Sequence, residues 1–285
     1  MTSCSDYWLL KERPFEPVTD ARLYFQSRAH EEALARLGYL VDEETMYLGM
    51  LSGEIGCGKS LTRQVFASHI DASRHFLVQF ENSSFPFDDH LRRLLGESGW
   101  TEAARDATSS YALYELVRAL LRQLHTTHQR HLVLLFDEAQ DMSVETLADL
   151  KRLSNLNDEG VGRLTIVLIG QPELRHLVSQ LPALDQRISL RFHLRPLDTD
   201  DTRAYLRHRL ITAGHETGDL FDDGAVALLY EASRGVAREI NRLAKLCMET
   251  ARASSAQRIG AGHVRTVVDD LRRHQPMPVL GGISS

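Results

Sequence analysis

Eight consecutive residues, Gly53 to Ser60, have the spacing G-x-x-x-x-G-K-[ST]. Glycines at these positions let the backbone curl so that several N–H groups face one anion, while the lysine reaches the β- and γ-phosphates of a nucleotide and the hydroxyl ligates Mg²⁺. We therefore predict a P-loop that binds Mg-ATP, with Ser60 as a magnesium ligand. The residues expected to contact the nucleotide are Gly53, Glu54, Ile55, Gly56, Cys57, Gly58, Lys59, Ser60 and Leu61.

An acidic pair, Asp137 and Glu138, follows the apolar run from His131 to Phe136. Such a run predicts a buried strand, which delivers the residues that follow it to an exposed carboxyl end. We expect Asp137 to hold Mg²⁺ through water and Glu138 to polarise the attacking water as a general base. A strand that ends in solvated charges is common, so the catalytic interpretation depends on the P-loop in the same chain.

Strand and helix patterns alternate around both motifs. Short apolar runs predict strands, and leucines at three- and four-residue spacing predict helices. This alternation favours a parallel sheet that is covered by helices on both faces. The predicted strands are 47–51, 75–80, 131–136, 164–169 and 188–194. The predicted helices are 61–70, 111–124 and 144–156, with an earlier one that begins at Ser27 and includes Leu34, Leu37 and Leu40.

After Pro196 only helical patterns remain, at 199–213, 223–231, 236–253 and 262–273. We therefore expect a domain boundary near residues 194–197. The expected organisation has four parts: an N-terminal segment and leading helix (1–40), a P-loop α/β nucleotide-binding domain (41–196), a helical lid domain (197–274) and a disordered tail (275–285).

The composition excludes several classes of protein. The chain has 285 residues and 43% hydrophobic content, enough for one sizeable core with a small second domain. A net charge of −6 excludes a strongly basic nucleic-acid footprint on the whole chain. No run of 18 apolar residues predicts a membrane span, and Met1 to Leu10 lacks the pattern of a signal peptide. Three distant cysteines suit a reducing compartment, so we expect a cytoplasmic protein.

Several motifs together resemble the ExeA/GspA-type branch of the AAA+ ATPases, over roughly Tyr7 to Arg252. The wider kinship includes transposition regulators and Orc/Cdc6-like initiators. The resemblance implies an AAA+ core with a five-stranded parallel sheet sandwiched by helices, followed by a small all-α lid. The motifs are the P-loop, Lys11-Glu12-Arg13-Pro14-Phe15, Phe136-Asp137-Glu138-Ala139-Gln140, Leu168-Ile169-Gly170-Gln171-Pro172-Glu173-Leu174, and the stretch from Gln186-Arg187-Ile188 to Leu194-Arg195-Pro196-Leu197.

The resemblance also implies roles for residues outside the P-loop. Gln171 takes the sensor 1 place, at the end of a strand expected between the P-loop strand and the Asp137 strand; the alternative is a helix-capping residue. Arg191, with Arg187 as second choice, would reach the γ-phosphate of a neighbouring subunit; the alternative is a surface salt bridge. Gly235 would start a helix from which Arg238 contacts the nucleotide as sensor 2; the alternative is a solvated arginine.

We expect ATP hydrolysis to ADP and phosphate to drive a homo-oligomer, as a ring or filament, with an unknown protein partner and no direct membrane insertion. Three outputs compete. The first is remodelling or assembly in a secretion or cell-envelope system. The second is a DNA-bound regulator of transposition, which the arginines between Arg252 and Arg273 modestly favour. The third is a scaffold that does not hydrolyse ATP, against which the intact Glu138 argues.

Overall fold

The computed structural model of the chain describes residues 3–16, 21–43 and 45–274. The tail predicted to be disordered, 275–285, lies outside the described residues. The chain divides into two compact units, one formed by Gln26–Arg195 and the other by the described parts of Met1–Phe25 and Pro196–Ser285. Each unit has its own apolar core.

The first unit is built on a five-stranded parallel sheet. Its strands are β1 (Leu48–Gly53), β2 (His75–Phe80), β3 (His131–Phe136), β4 (Leu164–Gly170) and β5 (Leu190–Leu194). Their order in the sheet is β2-β3-β4-β1-β5. Strands β1, β3 and β4 are buried along their whole length, which explains their unbroken apolar sequences. The predicted α/β class with a parallel sheet is confirmed.

The register of the sheet brings the predicted site residues to one edge. Strand β4 lies between β1 and β3, as the family resemblance implied for the strand before Gln171. Ser52 pairs with Gly170, and Phe136 pairs with Leu168. Because parallel strands end at the same edge, the P-loop, Asp137 and Gln171 leave neighbouring strands on one side of the sheet.

Eight helices accompany this sheet among the described residues. The helices within 87–106 and 173–185 were not predicted from the sequence, although Leu91, Leu94 and Leu95 are buried at helical spacing. The helices are Arg28–Asp42, Lys59–His69, Phe87–Glu97, Thr101–Asp106, Ser110–Thr126, Val144–Asp158, Glu173–Ser179 and Pro182–Asp185, with a 3₁₀ turn at Ala139–Asp141.

The second unit is helical, and the N-terminal segment contributes to its core. Trp8, Leu10 and Phe15 are buried there, and the Trp8 indole N–H donates to the carbonyl of Met248 at 3.3 Å. Residues 1–40 were expected to lead into the α/β domain. In the structure, residues 3–16 and 21–25 belong to the helical unit instead. The helices of this unit are Cys4–Tyr7, Thr199–Thr212, Asp223–Ser233, Ala237–Ala253 and Ala261–His274, with a short 3₁₀ turn at 21–23.

Gly235 connects two of these helices in a conformation that only glycine adopts readily. Its φ is +73°, and a Cβ atom there would lie 1.9 Å from the carbonyl oxygen of Leu197. The same two residues are joined by a hydrogen bond from the Leu197 N–H to the Gly235 carbonyl at 3.0 Å. The backbone just before helix Ala237–Ala253 therefore lies so close to that of Leu197 that no side chain fits at position 235.

None of the helices in the described ranges is both long enough and apolar enough to cross a membrane.

Candidate active site

The P-loop leaves β1 at Gly53 and turns into helix Lys59–His69 at Gly58, whose φ of +98° lies in the left-handed region. This turn makes the helix begin two residues earlier than the sequence predicted. The N-terminal end of the helix points its free N–H groups into the loop, which favours an anion there. The backbone therefore has the shape that the predicted phosphate contacts require.

Lys59 lies inside this loop. Its side-chain ammonium donates to the carbonyl of Gly53 at 2.7 Å and to that of Glu54 at 3.0 Å. Burial lowers the pKa of Lys59, and the charges of Glu138 and Asp137 act in the opposite direction. An arriving phosphate would replace neutral carbonyls by anionic oxygens, which form stronger charge-assisted hydrogen bonds with an ammonium.

Asp137 is buried at the end of β3, where both of its carboxylate oxygens accept hydrogen bonds. One oxygen accepts from the backbone N–H of Glu138 at 3.0 Å. The other accepts from the Nε of Arg63 at 3.1 Å, in an ion pair in which both side chains are almost fully buried. Arg63 also donates to Gln79 Oε1 at 2.5 Å. The aspartate that we predicted to hold Mg²⁺ is thus oriented by its own backbone and by one arginine.

Glu138 is held by two glutamine side chains. Its Oε2 accepts from Gln140 Nε2 at 2.8 Å and from Gln171 Nε2 at 3.4 Å. The Gln140 amide also accepts, through Oε1, from the backbone N–H of Gln171 at 2.9 Å. Gln140 therefore links the residue after β3 to the residue after β4, and it brings the predicted general base beside the predicted sensor 1 residue.

The donor set at this edge fits Mg²⁺ that arrives with a nucleotide. Mg²⁺ is usually held by one or two protein oxygens together with phosphates and waters. The exposed Ser60 at the first turn of the helix and the buried Asp137 supply such a pair. Within residues 3–16, 21–43 and 45–274, no three His, Cys, Asp or Glu side chains cluster into a site that could hold a metal ion on their own.

The predicted arginines are described within their own units. Arg191, on β5, pairs with Asp185 at 2.9 Å, and Arg187 pairs with Asp158 at 2.6 Å; all four side chains are partly exposed. Arg238 is exposed in the first turn of helix Ala237–Ala253, in the helical unit. Their roles as arginine finger and sensor 2 stay predictions.

Three further residues contact this site without having been predicted from the sequence. Arg63 lies one helical turn after Lys59, a spacing that could have indicated it. Gln140 ends the motif that begins at Phe136, but no role was predicted for it. His30, on helix Arg28–Asp42, has Nε2 3.1 Å from the carbonyl oxygen of Cys57, and no local pattern indicates that contact.

Comparisons with known proteins agree with this architecture. The profile of the AAA domain family matches residues 42–178. General secretion pathway protein A of Aeromonas hydrophila is 30% identical over 263 residues, which cover 91% of this chain and 47% of that protein. The chain therefore spans about half the length of this curated relative.

Solved structures show the same fold. The ORC2 protein of Aeropyrum pernix, in its ADPNP-ADP complexes, superposes with a TM-score of 0.63 at 17% identity. The superposition covers 94% of this chain and 73% of the ORC2 chain. CDC6P of Pyrobaculum aerophilum has a TM-score of 0.62 at 16% identity, with coverages of 95% and 72%. The RuvB Holliday junction branch migration motor of Thermotoga maritima has a TM-score of 0.55 at 17% identity, with coverages of 88% and 73%.

Proposed function

Because this chain belongs to the AAA+ ATPases of the ExeA/GspA type, we propose that it binds Mg-ATP, hydrolyses it to ADP and phosphate, and uses the cycle to remodel or recruit a protein partner. One observation carries the proposal. Nε2 of Gln171 lies 3.4 Å from Oε2 of Glu138, and the two residues follow the neighbouring strands β4 and β3. Strand β4 also neighbours β1, which leads into the P-loop. A base and a polar sensor in contact can act on one water and one γ-phosphate.

Each group then has a distinct task. Lys59 and the loop N–H groups bind the β- and γ-phosphates. When bound, Mg²⁺ neutralises charge on the same phosphates, and Ser60 and Asp137 would hold it. Glu138 accepts the proton of the attacking water, and Gln171 offers its amide N–H to the γ-phosphate or to that water. The two glutamines keep the Glu138 carboxylate oriented before the water arrives.

Two substitutions test the site. Lys59→Ala should abolish ATP binding in a calorimetric titration, whereas Lys151→Ala, a lysine outside the P-loop in the same unit, should bind normally. Glu138→Gln should bind ATP yet release no phosphate. Tight ATP binding by Lys59→Ala would contradict the P-loop assignment, and phosphate release by Glu138→Gln at the normal rate would contradict the general base.

We also propose that ATP promotes a homo-oligomer in which Arg191, or alternatively Arg187, reaches the neighbouring γ-phosphate. Arg191→Ala should bind ATP without hydrolysing it. Mixing this variant with Glu138→Gln should restore part of the activity, because some interfaces then combine an intact arginine with an intact glutamate. Differently tagged subunits show whether mixed assemblies form, and mixed assemblies without activity would contradict a trans-acting arginine.

The process that the chain serves is proposed from its relative, whose name places that protein in general secretion. We place the activity in the cytoplasm, since the three cysteines, all free thiols, suit a reducing compartment.

The alternative, a DNA-bound regulator of transposition, predicts that duplex DNA changes the ATPase rate or the assembly size at low salt. A rate and size unaffected by DNA would exclude that alternative. A scaffold that does not hydrolyse ATP would be favoured if Glu138→Gln assembled and came apart with ATP in the same way as the unchanged protein. ATP-bound oligomers trapped by this variant would exclude the scaffold.

A further inference from the structure

We propose that His30 is a positioning residue for phosphate binding, which turns one peptide of the P-loop so that its N–H faces the nucleotide. The inference rests on the proposed function of the loop and adds a residue that precedes the part of the chain matched by the AAA domain profile. The evidence is a short chain of hydrogen bonds from Ser27 through His30 to the carbonyl of Cys57.

His30 lies in the first turn of helix Arg28–Asp42 and is only 5% exposed. Its Nδ1 is 2.7 Å from the hydroxyl oxygen of Ser27, and its Nε2 is 3.1 Å from the carbonyl oxygen of Cys57. The ring also packs against the loop, because a Cβ atom on Gly58 would lie 2.9 Å from Nε2. His30 therefore contacts the loop at the residue before its final turn.

The chemistry of these partners assigns the protons. A carbonyl can only accept, so Nε2 must carry the N–H that is donated to Cys57. Nδ1 then accepts from the Ser27 hydroxyl, which can donate. Burial lowers the pKa of His30, which keeps the ring in this neutral form.

The consequence for the loop follows from peptide geometry. In a trans peptide the C=O of Cys57 and the N–H of Gly58 belong to one plane and point in opposite directions. By holding that carbonyl on its own side, His30 turns the Gly58 N–H the other way, into the concave face of the loop. It also keeps a negative carbonyl dipole away from the phosphates.

The hydrogen bonds that helix Lys59–His69 makes to the carbonyl of Gly58 do not orient the peptide between Cys57 and Gly58. The Thr62 N–H donates to the carbonyl of Gly58 at 2.9 Å, and the Thr62 hydroxyl donates to the same carbonyl at 3.0 Å. That pairing orients the peptide after Gly58. The peptide before Gly58 is contacted instead by His30, which belongs to a different helix and lies 27 residues upstream of Cys57.

Replacing His30 by either of the two amide residues, Gln or Asn, tests this inference. In His30→Gln the side-chain N–H₂ reaches the position of Nε2, whereas the shorter His30→Asn reaches only that of Nδ1. Mg-ATP binding should be within about 3-fold of normal in the Gln variant, since one neutral donor replaces another. It should be about 10- to 100-fold weaker in the Asn variant, which loses one hydrogen bond to a charged phosphate. His30→Phe keeps the ring volume and serves as the comparison if the Asn variant does not fold.

His131→Phe is the matched control, because His131 is a buried histidine at the opposite end of β3 from Asp137. It should lower the melting temperature and leave the dissociation constant of Mg-ATP unchanged. Normal ATP binding by both His30→Asn and His30→Phe would overturn the inference, as would equal losses in the Gln and Asn variants. If the unchanged protein fails to bind Mg-ATP, the proposed function itself is wrong.

Discussion

The guanidinium Nε of Arg63 lies 3.1 Å from Oδ2 of Asp137, and the two side chains are only 4% and 5% exposed. Arg63 belongs to the helix after the P-loop, whereas Asp137 follows β3. The pair thus connects the two halves of the candidate ATPase site. A charge pair so well shielded is costly to break, because either partner alone would be a buried, uncompensated ion.

We predict that Arg63→Met lowers the free energy of unfolding by about 3 to 5 kcal/mol, since it leaves the Asp137 carboxylate without its cation. Urea denaturation measures the change. Arg92→Met is the control, because Arg92 forms an exposed pair with Asp89 and should cost about 1 kcal/mol or less. Equal effects of the two substitutions would show that the buried pair contributes little.

Gln140→Ala should lower kcat about 10-fold and leave the dissociation constant of Mg-ATP unchanged. The substitution removes a 2.8 Å hydrogen bond to the Glu138 carboxylate, and one such bond to a charged group is worth about 1.5 kcal/mol or more. Steady-state phosphate release and calorimetric binding measure the two constants. Gln180→Ala, at an exposed glutamine of the same unit, is the control. A loss of binding in parallel with kcat would mean that Gln140 supports the fold of the loop instead.

Gly235→Ala should destabilise the protein by at least about 2 kcal/mol, because an alanine Cβ would overlap the Leu197 carbonyl and would hold a left-handed φ. Gly262→Ala is the matched control in the same unit. It lies in helix Ala261–His274 with no atom within 4 Å of an added Cβ, so it should stabilise by about 0.5 to 1 kcal/mol. Calorimetric melting of both variants measures the opposite signs, and a stable Gly235→Ala would refute the close approach.

Acid should destabilise the folded chain through His131. Burial, with smaller contributions from the charges of Arg163 and His75, lowers the pKa of His131 to about 3. Below about pH 6.5 the unfolded chain takes up a proton at this residue, and the folded chain does so only near pH 3. The free energy of unfolding should therefore fall by about 3 kcal/mol between pH 7 and pH 4 through this group alone.

Urea denaturation across that pH range measures the slope. His131→Asn cannot be protonated and should flatten it, whereas His128→Gln, at an exposed position, should not. A slope that is the same in the unchanged protein and in His131→Asn would contradict a buried, neutral His131.

Much of the α/β unit could be predicted from the sequence, because its strands are buried on both faces. The strands His75–Phe80 and His131–Phe136 have the predicted bounds. Strand β5 starts at Leu190, two residues later than predicted, because the N–H of Ile188 still bonds to Asp185 at the end of the preceding helix. Apolar pattern alone does not show where that turn ends.

The contacts around the site could not be predicted in the same way. Arg63 and Asp137 are 74 residues apart, His30 and Cys57 are 27 apart, and Gln140 and Gln171 are 31 apart. Periodicity indicates which side chains are buried, and it does not indicate which buried groups meet. For the same reason the sequence did not show that Trp8 joins the helical core.

Trp8 can be buried in the helical core only after the later helices of that core have been synthesised. The α/β unit is one continuous stretch of chain, so a growing polypeptide can complete it before the later helices exist. Trp8 bonds to Met248, 240 residues further on, and a ribosome that adds about 5 to 20 residues per second needs roughly 12 to 48 s to supply that partner. During this interval Trp8, Leu10 and Phe15 have no finished core to join, and exposed apolar side chains of this kind favour aggregation until the helical unit has been made.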